Sequence, residues 1–348
     1  MTIGVNTGST IQASQIRTEF GASAPDNGVS LGNYRLTRTV GELSLPLDEG
    51  VPTSGPIKMS DFSQKSLNVV VNVHSGGVEY GVNAKAKYNN NEVTVICPIS
   101  RSKKQGGSKI IIHCNKKLGA VSNPGHNTPQ TRCALKTGTW SNPTHVHVIL
   151  GGEANVRGSG GKGGDGKTDN SGSAQAGAPG SSGLGIQHEG TLITLKSGSQ
   201  IVRGSGGGGG GGHATETSKH SRNCGGSGGG GGAGFPPGTG GELGEVTSGR
   251  DPTDGANGED ATELVGGEGG GERSNAGEAI GGNGGNGGSI SGSGNGSSGE
   301  SGNGRGEGES EGGSGGEQGA AIRKSVAHFH IISNSGTITG STSRTGVS

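Results

Sequence analysis

Residues 203–212 read RGSGGGGGGG, and residues 224–234 read CGGSGGGGGAG. Glycine recurs here at every third residue. Gly225, Gly228, Gly231 and Gly234 form one row, and Gly226, Gly229 and Gly232 the row beside it. The period returns at Gly281, Gly284 and Gly287, at Gly296, Gly299 and Gly302, and at Gly313, Gly316 and Gly319. Three residues per turn is the repeat of the left-handed polyproline-II helix, which makes no internal hydrogen bonds. Where one or two of its three faces carry only glycine, neighbouring helices can approach and satisfy each other's backbone groups. Such a run of about nine residues spans roughly 28 Å. A flexible Gly/Ser linker is the plainest alternative. Against it stand the length of the stretch, the recurrence of the triplet register, and varied inserts such as 213–223 and 235–237. Collagen is disfavoured by 12 prolines in 348 residues and a broken register.

Composition narrows the fold further. Hydrophobic residues make up 25% and aromatic residues 2% of the chain, too few for two conventional cores. Stability must therefore rest on backbone hydrogen bonding or oligomer contacts. The 28 basic and 28 acidic residues cancel, so no nucleic-acid or membrane partner is expected. No apolar run nears 18 residues, and no basic-then-apolar leader is present. Cys97, Cys114, Cys133 and Cys224 have no CxxC spacing and read as free thiols, with a Cys97–Cys114 disulfide as the alternative.

Residues 1–66 hold two similar phrases, STIQASQIRTEFG (9–21) and PTSGPIKMSDF (52–62). Each reads as a short helix ending in Phe, with Ser14 and Ser60 as expected N-caps. Ile11, Ile16, Phe20, Ile57, Met59 and Phe62 are the expected buried contacts, and Tyr34 lies between the phrases. That core is too small to stand alone. The unit reads as an attachment module packing on another chain. Residues 67–150 are β-rich, with strands expected at 67–74, 92–97, 109–114 and 145–150 and a turn at 116–119. A small β-sandwich or a short β-solenoid fits.

An internal repeat ties this region to the glycine-rich part. HVHVILGGEANVRGSGG (145–161) parallels TLITLKSGSQIVRGSGG (191–207), with VRGSGG unchanged, and HFHIISNSGTITG (328–340) is a third copy. Repeats of this kind mean stacked equivalent units, so these strands are expected to form a β layer at the ends of the glycine helices.

The N-terminal phrases resemble the opening of structural proteins of tailed bacteriophages, notably marine ones. The strand phrase followed by glycine triplets, over about 140–340, is similar to the glycine-rich tail-fibre and tail-tip adhesins of tailed phages. In some T-even-type phages a bundle of polyglycine-II helices carries loops that contact the host receptor. The resemblance implies tail attachment through Ile11, Ile16, Phe20, Tyr34, Ile57, Met59 and Phe62. It implies receptor-binding inserts at 168–175, 213–223, 235–246, 250–264 and 272–280. Within these, His213, Lys219, His220, Arg222, Phe235, Pro236, Pro237, Leu243, Arg250 and Asp251 are the candidate contacts. The inserts are charged and nearly free of the aromatics that such adhesins often present.

Two HxH pairs, His145/His147 and His328/His330, are the candidate metal ligands. On a strand, i and i+2 share a face, and in a trimeric fibre such pairs can meet on the threefold axis. The alternative is that both are ordinary positions of the repeated strand. The GxxxxGK[ST] spacing at 161–168 (GKGGDGKT) and the GxSxG spacing at 225–229, 308–312 and 312–316 fall inside glycine-rich runs rather than between a strand and a helix. Neither reads as a phosphate loop or a nucleophile elbow, and an enzyme is not expected. The acidic run 307–311 reads as a solvated loop rather than a calcium site.

The expected fold is therefore mainly β in the N-terminal half, followed by a polyglycine-II helix bundle, with very little α-helix. The expected parts are an attachment module (1–66), a β domain (67–150) and the bundle with its strands and loops (151–348). The expected function is a phage tail-fibre or tail-tip adhesin in the virion, assembled in the host cytoplasm. Its partners would be other tail proteins and a bacterial surface polysaccharide or outer-membrane protein. A homotrimer without a cofactor is expected. A rigid virion spacer, an ice-binding protein and a disordered linker are the alternatives.

Overall fold

In the computed structural model of the chain, residues 10–21, 30–73, 78–96, 109–122, 129–141, 144–169, 171–216, 222–249, 252–275, 279–304 and 308–348 are described. The first element is α1 (Ala13–Phe20). Its cap is Gln12, not Ser14: the Gln12 N–H donates to Gln15 Oε1 at 2.9 Å. Ser60 likewise lies inside the 3-10 turn Met59–Phe62, which Lys58 precedes and whose Asp61 accepts from the Lys58 N–H at 2.7 Å. In both turns a longer side chain at the third helical position reaches back and does the capping. Between them run β1 (Thr37–Val40) and β2 (Leu43–Pro46), an antiparallel pair. Phe20, Tyr34 and Phe62 meet with ring centroids 5.6–6.3 Å apart. With Ile16 they are buried against Val70, Val95, Ile111 and Ile149, and Ile11, Ile57 and Met59 are half-buried at the margin.

The chain then winds through three walls in turn. The first rung is β3 (Asn68–Asn72), β4 (Glu79–Tyr80) and β5 (Val82–Asn83), followed by α2 (Ala84–Asn89) and β6 (Val93–Val95), which lies antiparallel on β3. The second is β7 (Lys109–Cys114), β8 (Lys117–Gly119) and β9 (Cys133–Lys136). The stretch expected as a turn at 116–119 is thus largely strand: Leu118 is an interior residue that stacks on Val156. The third rung is β10 (His145–Leu150), β11 (Asn155–Arg157) and β12 (Ser182–Ile186), and the fourth opens with β13 (Thr191–Leu195) and β14 (Gln200–Val202).

Between β11 and β12, and again after β14, the chain leaves the solenoid in glycine-rich segments. The first excursion runs out along 158–167 and back along 174–181. The second runs out along 203–213 to the hairpin β15 (Ala214–Glu216) and β16 (Arg222–Cys224), then back along 225–233. It continues out along 238–247, back along 255–261 and out along 266–272 to β17 (Arg273–Asn275) and β18 (Ala279–Gly281). It returns along 282–288, runs out along 295–302 to β19 (Asn303–Gly304), and comes back along 308–321. There β20 (Ile322–Lys324) completes the fourth rung, and β21 (Phe329–Asn334), β22 (Thr337–Thr339) and β23 (Arg344–Thr345) form the fifth.

Successive rungs pair in parallel in all three walls, whose orders are β21-β13-β10-β7-β3-β6, β22-β14-β11-β8-β4 and β23-β20-β12-β9-β5. Apolar residues stack rung upon rung: Val71, Ile112, Val148 and Ile193 in one ladder, and Val82, Leu135, Leu184 and Ile322 in another. This is the short solenoid rather than the sandwich. The three repeat copies are the adjacent strands β10, β13 and β21. The fold is mainly β, with two α-helices among the described residues.

The glycine segments are joined through their backbones. In 206–212 every residue is buried glycine. Its N–H groups donate in rotation to three neighbours: Gly206, Gly209 and Gly212 to 294–300, Gly207 and Gly210 to 175–178, and Gly208 and Gly211 to 227–230. Its carbonyls accept in rotation from 164–167, 282–288 and 313–316. Segment 225–233 is likewise ringed by 161–167, 205–212, 238–244, 253–259, 267–270 and 282–288. A Cβ on Gly208 or Gly209 would collide with the backbone carbonyl of Gly285 or Gly313. Only hydrogen fits on these inner faces. Outer segments place polar side chains at the outward third position, and several cap edge amides. Leu243 N donates to Asn257 Oδ1, Gly240 N to Asp260 Oδ1 and Val246 N to Asp254 Oδ1, each at 2.8 Å.

Gly209→Ala is expected to lower the unfolding free energy by about 1–3 kcal/mol through overpacking, and Glu268→Ala, at an outward position, by less than about 0.5 kcal/mol. Denaturant titration of the two variants checks this. Equal, small effects would mean that the inner segments do not pack as described.

Candidate functional site

The two ends of the glycine segments differ. At the solenoid end, the turns at 234–237, 262–265 and 289–294 are anchored to β8, β11 and the residue after β14. Phe235 stacks on Tyr80 at 5.9 Å, with Lys117 Nζ 3.8 Å from its ring centroid. Lys117 and Arg157 both pair with Glu263. Arg203 Nη2 donates to the carbonyls of Gly292 (2.7 Å) and Ile290 (3.2 Å). The arginine repeated in VRGSGG at 157 and 203 therefore clamps these turns to the solenoid. Phe235, Pro236 and Pro237, predicted as contacts, sit at this end: Pro236 is buried and the other two half-buried. Leu243 lies half-buried within a glycine segment.

At the far end, five loops from the two excursions come together. β15 and β16 pair Glu216 with Arg222. Ala214 bridges to Glu309, Cys224 to Thr253, and Ser173 to Glu311, while β18 joins β17 to β19. Their seat is a small buried cluster of Ala214, Cys224 and Ala279, with Cys224 Sγ 2.9 Å from the Arg273 carbonyl. His213 is buried beneath the hairpin: its N–H donates to Ser310 Oγ at 2.6 Å, and its carbonyl accepts from the Ser310 N–H at 3.0 Å. Burial pushes the His213 imidazole below its ordinary pKa. Asp169 accepts from the Ser171 N–H and hydroxyl and pairs with Lys167 at 3.1 Å, which holds its pKa down to about 2. The exposed groups at this end include Glu272, Arg273, Ser274 and Asn303, which are charged or polar. They suit recognition by hydrogen bonds and ion pairs.

Of the predicted contacts, His213 and Arg222 fall at this end. Lys219, His220, Arg250 and Asp251 lie outside the described residues. Sequence reasoning missed Ser310 and its flanking Glu309 and Glu311, taken as a solvated run. Their alternation in EGESE, unlike the triplets around it, is the signal for backbone bridging.

The histidine pairs lie on the solenoid wall. His145 and His147 line a hollow of about 190 Å³ with Lys109, Glu49, Leu192 and Ile332. His147 Nε2 lies 2.8 Å from Thr194 Oγ1, and burial lowers its pKa. His147 and His330 both register with Leu192, one strand to either side, so they stand roughly 10 Å apart by sheet spacing. His328 precedes β21, and its carbonyl accepts from the Gly190 N–H. Among the described residues no group of three or more His, Cys, Asp or Glu could hold a metal ion. Cys114, Cys133 and Cys224 are free and buried, with the first two pushed up to about 12 by burial; Cys97 lies outside the described residues. No helix among the described residues is long and apolar enough to cross a membrane.

A family model, phage tail fibre adhesin Gp38, matches residues 62–343. No curated protein and no solved structure matches the chain.

The buried His213 gives the far end a pH dependence. Its folded pKa lies below its unfolded value near 6.5. Between the two the unfolded chain binds more protons, so stability falls as pH drops below about 6.5. Protection factors of the amides at 213–216 and 222–224, that is, exchange corrected for its intrinsic pH dependence, are expected to fall between pH 7.5 and 5.5 in the wild type and to lose that fall in His213→Gln. An unchanged pH response in His213→Gln would exclude His213 as the cause.

Proposed function

The chain belongs to the phage tail fibre adhesin Gp38 family, and from that membership we propose that the far end of its glycine segments is the surface that touches the bacterial host. The protein is a virion tail-fibre adhesin, and its function is attachment to the host cell surface. One observation carries the assignment of the contact surface. Five loops from the two excursions gather at one end, seated on segments whose backbone groups bond on every side. Short polar loops on a hydrogen-bonded platform can change sequence without disturbing what carries them.

The platform is read as a bundle of polyglycine-II helices. Donors and acceptors rotate through three neighbours each at a three-residue period, as a threefold screw requires. Two inner helices, 206–212 and 225–233, are ringed by the others. On this reading the glycine segments within 158–181 and 203–321 supply the bundle and its tip, while the solenoid, including its strands in 182–202 and 322–345, and the N-terminal unit 1–66 face the tail. The receptor chemistry favoured by the tip is polar: a surface polysaccharide or the loops of an outer-membrane protein.

Arg273→Ala and Glu272→Lys are each expected to slow adsorption to the host at least tenfold with adhesin content per particle unchanged. Leu264→Ser, in an exposed turn at the solenoid end, is expected to leave adsorption unaltered. Adsorption kinetics of complemented particles measure both. Normal adsorption of the two tip variants would leave the bundle as a spacer.

A further inference from the structure

The solenoid's two ends are finished differently. At the first rung, β6 lies antiparallel on β3. Tyr88 of α2 packs into the core edge-on to Trp140, with ring centroids 5.0 Å apart. At the fifth rung, nothing among the described residues pairs with the outer edges of β21, β22 and β23. The interior ladder Val71, Ile112, Val148 and Ile193, all wholly buried, ends on Ile331, which is 38% exposed. Ile332, turned out by the register shift opposite Ile193 and Thr194, is 55% exposed.

Edge strands that must stay unpaired are blunted by lysine, proline, inward charge or bulges. This edge has the bulge alone. Residues 326–348 contain no lysine, no proline and no carboxylate. Their one charged side chain, Arg344, is held by the Gln318 carbonyl at 3.1 Å and Glu317 at 3.7 Å. After β23 the chain turns away from the edge: the Gly346 N–H donates to Lys324 O and the Ser348 N–H to Thr131 O. Unpaired backbone groups in three walls, around an exposed apolar ladder end, form a template for added strands.

We propose that the fifth rung seats the adhesin on its fibre, the fibre protein adding β-strands to the edges of β21, β22 and β23 and covering Ile331 and Ile332. The proposal rests on the adhesin reading above. A glycan or lipid would leave most of the edge N–H and carbonyl groups unpaired. A second copy would have to meet this end tail to tail, because β6 and α2 close the other end. The twofold axis would map one wall onto itself and exchange the other two, and any exchange sets strands of unequal length against each other, since β21 has six residues, β22 three and β23 two. A fibre end with its own strands is under neither restriction.

The test is complementation of infection with the full chain carrying Ile332→Lys, adhesin copies per purified particle being counted by quantitative mass spectrometry. The melting temperature of the purified variant is measured alongside, and Ser333→Lys on the same edge replaces Ile332→Lys if that variant melts early. The expected result is at least a tenfold fall in copies per particle with melting unchanged. Wild-type incorporation of a stably folded edge variant would overturn the proposal. So would a sedimenting dimer of the isolated chain that Ile332→Lys dissolves while incorporation stays normal, which would assign the edge to a second copy. Absence of the wild-type chain from particles would overturn the adhesin reading and this proposal with it.

Discussion

Everything in the glycine-rich half depends on one interaction, the backbone hydrogen bond between separate segments. Ordering a residue costs roughly 1–2 kcal/mol, and a net hydrogen bond returns about 1 kcal/mol. A residue in 206–212 donates one bond and accepts another, which amounts to about one bond per residue. The balance is close, so it fails if any inner position loses its partner. That explains why 206–212 is glycine throughout, why 225–233 departs from glycine only at Ser227 and Ala233, and why the outer segments are glycine only where they touch a neighbour. A Cβ at Gly208 or Gly209 would meet a neighbouring carbonyl and push two backbones apart.

The solenoid solves the same problem by other means. Its β-branched residues stack rung on rung, so a chain with few aromatics still encloses a continuous interior. The aromatic residues it has are used at junctions: Phe20, Tyr34 and Phe62 fasten the N-terminal unit, Tyr88 and Trp140 close the first rung, and Tyr80 and Phe235 hold a turn of the glycine segments. Arg157 and Arg203 add polar clamps at the same shoulder. The far end is thereby held from below, and its loops are left with little structural duty.

Much of this was legible in the residues. The triplet glycine register pointed to segments that bond to each other, and the VRGSGG repeat marked strands that stack. The strands at 109–114 and 145–150 were readable from β-branched alternation. Other features were hidden because they depend on long-range partners. Lys117–Gly119 reads as a turn by composition and is a strand because Leu118 has Val156 to stack on. Phe235-Pro-Pro reads as a displayed loop and is an anchor because Tyr80 and Lys117 wait for its ring. The apolar residues of the N-terminal phrases were legible as buried, but not that they are buried on this chain's own solenoid wall. At the candidate contact surface, His213 and Arg222 were found from the glycine break at 213. Ser310 was not, because its partner lies 97 residues away.

The central claim is that segments 206–212 and 225–233 are the most completely bonded backbone in the molecule. Amide hydrogen exchange on the intact chain tests it directly. The account predicts that these glycines, although they lack side chains and strand structure, exchange as slowly as Ile112 and Val148 in the solenoid and far more slowly than the outward residues of 266–272. Exchange across 206–212 at the rate of an unstructured glycine chain would contradict it.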